Sequence, residues 1–210
     1  MTGRMKELAS EIVRLQTELD REIERRRREL GWSMKERLVR FEEGIVTQQR
    51  QFRVGVSDFI RRASPATIAT APIVYSMIVP LALLDLWATI FQAVCFRVYR
   101  IPKVRRSDYI ARDRSRLAYL NWIEALNCAY CSYGNGVIAY VREISSRTEQ
   151  YWCPIKHAIR ISDPHQRYYD FLEYGDAEGY RVRLDSFRAG LREEESASHV
   201  ANADPGPSSG

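Results

Sequence analysis

ATIATAPIVYSMIVPLALLDLWATIFQAVCF, residues 66–96, is a run of 31 residues with one charged member, Asp85. An apolar stretch this long reads as a membrane segment, because about 20 residues of helix cross a hydrocarbon core of about 30 Å. Arg61 and Arg62 precede it, and Arg97, Arg100, Lys103, Arg105 and Arg106 follow it. Tyr75, Trp87 and Tyr99 supply rings suited to a membrane–water boundary. The run starts far from the N-terminus, so it is not read as a cleavable signal. A buried core helix is the competing reading. It would have to explain the lack of a polar face over about eight turns.

The run is too short for two full spans. Pro72 and Pro80 interrupt helical hydrogen bonding. Two arrangements stay open: one tilted span from about residue 73 to 91, or a re-entrant hairpin bent near Pro80. The hairpin keeps both basic flanks on the cytoplasmic side. The single span carries Asp85 inside, at about 2.5–3.5 kcal/mol near the bilayer centre. Asp85 reads either as a polar contact between helices or, preferably, as a tolerated residue at the bend. In both arrangements the basic cluster at 97–117 holds the C-terminal part on the cytoplasmic face. Each Lys or Arg there adds about 1 kcal/mol of attraction to anionic lipid.

Charge is unevenly spread outside the run. The chain has 210 residues, 32 Lys+Arg and 27 Asp+Glu, a net charge of +5. Residues 1–65 carry +4, residues 97–117 carry +6 and residues 118–210 carry −4. The acidic balance of the last part argues against nucleic acid as a partner, since phosphate contacts need a basic face. Four cysteines are too few for a disulfide scaffold. Eleven glycines and eight prolines exclude collagen-like or Pro-rich architectures.

Residues 1–65 read as helical. Met5, Leu8, Ile12, Leu15 and Leu19 recur at 3-4-3-4 spacing, a coiled-coil seam that fails after two heptads. A partner protein or a second copy could pair through residues 1–30. A helical hairpin with residues 34–62 fits as well, since Met34, Leu38, Phe41 and Ile45 restart helical spacing after Gly31. Arg25–Arg28 sit among Glu22, Glu24 and Glu29, giving i,i+4 pairs such as Glu22/Arg26 and Glu24/Arg28.

Downstream, Cys128 and Cys131 form C-x-x-C, and after 21 intervening residues Cys153 and His157 form C-x-x-x-H. Cys3His is a common structural zinc set. Two thiolates in C-x-x-C converge on one ion across a tight turn, and Gly134, Asn135 and Gly136 offer backbone freedom for it. Residues 132–152 then read as a loop and an amphipathic helix that closes the site. The rivals are a redox C-x-x-C, an iron–sulfur cluster with one His, and ordinary core cysteines. Cys95 reads as a small hydrophobe. His165, Asp163 and Asp170 read as surface residues, with a catalytic base or an orienting partner as the sharper alternative. Helices are expected from about 108 to 126 and from about 176 to 191, the second capped by Asp176. A disordered tail is expected over 193–210.

The blocks NCAYCSYGNG (127–136) and TEQYWCPIKH (148–157) resemble a family of bacterial membrane-associated proteins to which no activity is attached. The resemblance covers roughly residues 72–190. It implies a bacterial, membrane-associated protein and no particular chemistry.

The expected fold is mainly α. It comprises a helical or coiled-coil region (1–65), a membrane segment (66–97), a small zinc-stapled cytoplasmic domain (107–192) and a tail (193–210). The expected function is a non-enzymatic membrane-anchored scaffold, touching lipid through 66–97 and the basic flank 97–117. Cys128, Cys131, Cys153 and His157 would hold a structural zinc. A redox protein or metalloenzyme using the Cys/His set, and a nucleic-acid-binding zinc module, are the alternatives.

Overall fold

The computed structural model describes residues 3–29, 32–35, 38–41 and 43–203. The chain is mainly helical. Helix α1 (Gly3–Glu29) leads into an antiparallel hairpin of β1 (Trp32–Lys35) and β2 (Leu38–Phe41), with Trp32 opposite Phe41. Then come α2 (Glu43–Gln51), α3 (Val56–Arg62), α4 (Pro65–Ser76), α5 (Ile78–Phe91), one π-helical turn (Gln92–Phe96) and α6 (Arg97–Tyr99). Two long helices follow, α7 (Trp122–Trp152) and α8 (Ala177–Ala203). The chain divides into two compact units, 1–71 with 112–132 and 72–111 with 133–210.

In the first unit, exposed ion pairs line α1. Arg14 reaches Glu11 at 2.6 Å and Glu18 at 2.9 Å, and Arg25 pairs with Glu22. Such exposed pairs add little stability. Leu15 and Leu19 of the expected seam are exposed. The side chains of Met5, Leu8 and Ile12 lie outside the described set, as does the Glu24/Arg28 pair. Met34, Leu38 and Phe41 do not restart a helix, because they belong to the two strands. Short apolar runs satisfy both periods, and Trp32, Val39 and Phe41 favour the pleated one.

The helix expected from 108 starts late, at Trp122. Its start is a reciprocal cap. Asn121 Oδ1 accepts the Ile123 and Glu124 amides at 3.0 Å, and Glu124 Oε2 accepts the Asn121 amide at 2.9 Å. Asn121 is fully buried. Upstream, short 3-10 turns at Arg106–Asp108 and Arg114–Arg116 replace the expected helix. Asn121→Ala is expected to cost about 1–2 kcal/mol, read as a lower denaturation midpoint. An unchanged midpoint would show that the cap is dispensable.

The apolar run is helical through both prolines. Pro80 is the third residue of α5, where its missing N–H lacks an intrahelical acceptor anyway. Its ring crowds the carbonyl four residues back, that of Ser76, and the helix loosens there, at Met77. The helix continues through Pro80 without a reversal. The helix ends at Arg100, which is left-handed (φ 56°), while the Ile101 amide reaches back to the Phe96 carbonyl at 2.9 Å. Phe96 and Ile101 are both buried, completing a Schellman-type stop.

Asp85, Ala88, Gln92 and Phe96 are the buried residues of this helix. Their 3-4-4 spacing draws one stripe. Ala88 and Phe96 of that stripe join Ile101, Val104, Tyr140, Ile144 and Leu191 in one core. The Gln92 amide pairs with both backbone groups of Val104, at 2.9 and 3.2 Å, and donates to the Tyr140 hydroxyl. This clamp ties the chain after the helix back against it. α8 starts at the expected cap, with Asp176 Oδ1 accepting the Gly179 amide at 2.8 Å. It continues past the expected end to Ala203, and residues 204–210 lie outside the described set.

Candidate functional site

Asp85 is the charged residue of the apolar run, and it is turned into the protein with 8% of its surface exposed. Arg106 grips it with two nitrogens. Nε lies 2.9 Å from Oδ1 and Nη2 lies 2.6 Å from Oδ2. The Tyr133 hydroxyl donates to Oδ2 at 3.0 Å. Asp85 is therefore a polar contact between segments and not a residue tolerated at a bend. Burial and the bond to Asp85 both hold the Tyr133 phenol above its usual range.

The two faces of this helix differ sharply. Opposite the buried stripe, Leu83, Leu86, Trp87, Ile90, Val94 and Val98 are exposed. Pro65–Tyr99 is one helix long and apolar enough to cross a membrane, and none of its most apolar 18-residue window is buried inside the protein.

Just beyond Asp85 an apolar groove of about 410 Å³ opens. Leu84, Trp87 and Phe91 form one wall, and Val141, Ile144 and Trp152 of α7 form the other. Ser145, Thr148, Glu149 and Cys153 also line it. Glu149 is held by His165 Nε2 at 2.8 Å, and the His165 ring packs on Phe171. Nearby protein around its sulfur, and secondly the Glu149 carboxylate, push the Cys153 thiol up, although the residue as a whole is exposed. A raised thiol pKa lowers the thiolate fraction that nucleophilic or redox chemistry needs.

An ion network lies elsewhere on α7. Glu143 takes Arg147 at 2.8 Å and Arg167 at 2.7 Å, and Arg167 also binds Glu194. Burial alone would raise the Glu143 pKa, but the two guanidiniums bring it below the ordinary carboxylate value. Arg147 donates to the Pro102 carbonyl at 2.8 Å, a second tie on the returning chain.

The four residues expected to hold zinc are placed differently from the expectation. Cys128 and Cys131 lie within α7, one turn apart, and Ser132–Gly136 are helical, not a turn. Cys153 follows the helix directly, its amide bonded to Glu149. The 22 steps of helical chain from Cys131 to Cys153 rise about 33 Å. The His157 ring stacks on Tyr168, and its amide donates to the Tyr168 hydroxyl at 2.8 Å. Among the described residues no group of three or more His, Cys, Asp or Glu side chains is placed to hold a metal ion. Along the helix Cys131 and Cys153 stand apart and do not converge on one point.

Sequence reasoning missed Arg106 as the partner of Asp85, and it missed Gly136. A Cβ on Gly136 would lie 2.8 Å from the Tyr109 carbonyl oxygen and 3.0 Å from the Ile110 Cα. This glycine serves a close backbone approach, not a turn. The only available hint for Arg106 was general: a lone carboxylate in an apolar run calls for a basic partner.

No family model, no curated protein and no solved structure matches this chain.

Proposed function

We propose that this chain is a membrane-anchored, non-enzymatic interaction protein whose second unit sits at the membrane surface. The supporting observation is the division of the long helix at Asp85. From Pro65 to Leu84 the helix is apolar and largely exposed, twenty residues that rise about 30 Å, the thickness of a hydrocarbon core. Leu81 already lies against α7 at Gly134, and from Asp85 onward one face is buried in protein, with Arg106 neutralising the carboxylate. Asp85, Arg106 and Tyr133 then mark the membrane boundary. This removes the cost of an isolated carboxylate in lipid. Trp87 and Tyr99 suit the boundary. The basic residues from Arg97 to Arg116 outnumber those before the helix near the membrane, which orients the second unit toward the cytoplasm. Exposed Leu15 and Leu19 on α1 offer a docking stripe for a helical partner.

The test is extraction of membranes with alkaline carbonate. The chain is expected to stay in the pellet, and Val79→Lys/Leu83→Lys is expected to move most of it to the supernatant. A wild-type chain recovered in the soluble fraction, monodisperse without detergent, would overturn the reading.

A further inference from the structure

We infer that the groove between α5 and α7 is a site for a single lipid acyl chain, an inference that rests on the membrane reading above. Leu84 is both the last residue of the proposed embedded stretch and the first of the groove wall. The groove is thus continuous with hydrocarbon at one end. Its lining is mostly aliphatic and aromatic, with Ser145, Thr148, Glu149 and Cys153 as its polar members. Two of these are already satisfied inside the protein, since Thr148 donates to the Ile144 carbonyl at 2.8 Å and Glu149 is bonded to His165. The rest of the lining is mostly apolar, with the one carboxylate, Glu149, turned to His165, which suits an alkyl chain. The volume of about 410 Å³ lies within the range of small-ligand sites, about 300–1,000 Å³. Trp87 and Trp152 stand on opposite walls and are 72% and 47% exposed, leaving face for a chain to cover.

The probe is cis-parinaric acid, a fluorescent fatty acid that accepts energy from tryptophan, titrated into full-length protein in detergent. Saturable transfer at about one probe per chain is expected. Ser145 is exposed and lines the groove, so Ser145→Phe narrows it without disturbing the core. It is expected to weaken binding at least tenfold. Trp87→Ala is expected to lower the transfer and weaken binding several-fold. Vesicle flotation of each variant is measured in parallel and is expected to be unchanged. Equal probe binding by wild type and both variants would overturn the site, as would no binding by a chain that floats normally. A chain that does not float would fail the anchor reading instead, whatever its probe binding. A doubled particle mass with no probe uptake would give the groove to a second copy and overturn the acyl-chain assignment.

Discussion

Arg106→Ala is expected to destabilise the second unit by about 3 kcal/mol, and more than Asp85→Ala does. Removing one partner of a buried pair costs about 3–5 kcal/mol, because it strands a charge away from water. The lower end applies here, since the Arg106 side chain is 40% exposed while that of Asp85 is 11% exposed. The same asymmetry ranks the single variants. Without Asp85, the long Arg106 side chain can extend to solvent. Without Arg106, the Asp85 carboxylate keeps only the Tyr133 hydroxyl. Replacing both, as Asp85→Leu/Arg106→Met, is expected to recover most of the loss, because an apolar pair of similar volume is often neutral or better. Denaturant midpoints of the four proteins in one detergent make the test. Additive losses in the double variant would show that the two residues are not coupled.

Gly136→Ala is expected to cost up to about 3 kcal/mol, the upper end of ordinary overpacking. The new methyl would meet a carbonyl oxygen at 2.8 Å and a Cα at 3.0 Å, and neither can rotate away. Gly134→Ala, two residues earlier on the same helix, is the control. Its Cβ would meet only the Leu81 Cδ1, at 3.2 Å, the end of a flexible side chain. Alanine also gains up to about 1 kcal/mol of helix propensity over glycine. Gly134→Ala is therefore expected to be neutral or stabilising, so the two changes should differ in sign or by at least 2 kcal/mol. Equal thermal midpoints for the two would show that the Tyr109–Ile110 segment does not press on α7.

The parts legible in the sequence were those set by neighbours in the chain. The apolar run from Ala66 to Phe96 is helical even though Pro72 lies inside α4, while Pro80 falls in the first turn of α5. Asp176 caps α8 because its carboxylate needs only the amide three residues on. The cap at Asn121 was equally readable, as Asn-x-x-Glu before an apolar run. The longer 108–126 helix was favoured because Ile110, Leu117, Leu120 and Ile123 share its period.

The Cys/His constellation shows where spacing stops being informative. Two cysteines three residues apart can face one ion across a turn, or share one face of a helix. Gly134 and Gly136 favoured the turn by composition. Packing decided for the helix, since Gly136 is needed where Tyr109 and Ile110 press against α7. The chain alone determined that one helix is apolar enough for a membrane, that charge clusters just beyond it, and that the fold is mainly α. Tertiary structure alone decided which face of that helix belongs to protein, and that Arg106, 21 residues away, closes on Asp85. Helical periods and caps are fixed within a turn or two of backbone. The partner of a buried carboxylate depends on how a returning segment packs, and no local pattern encodes that.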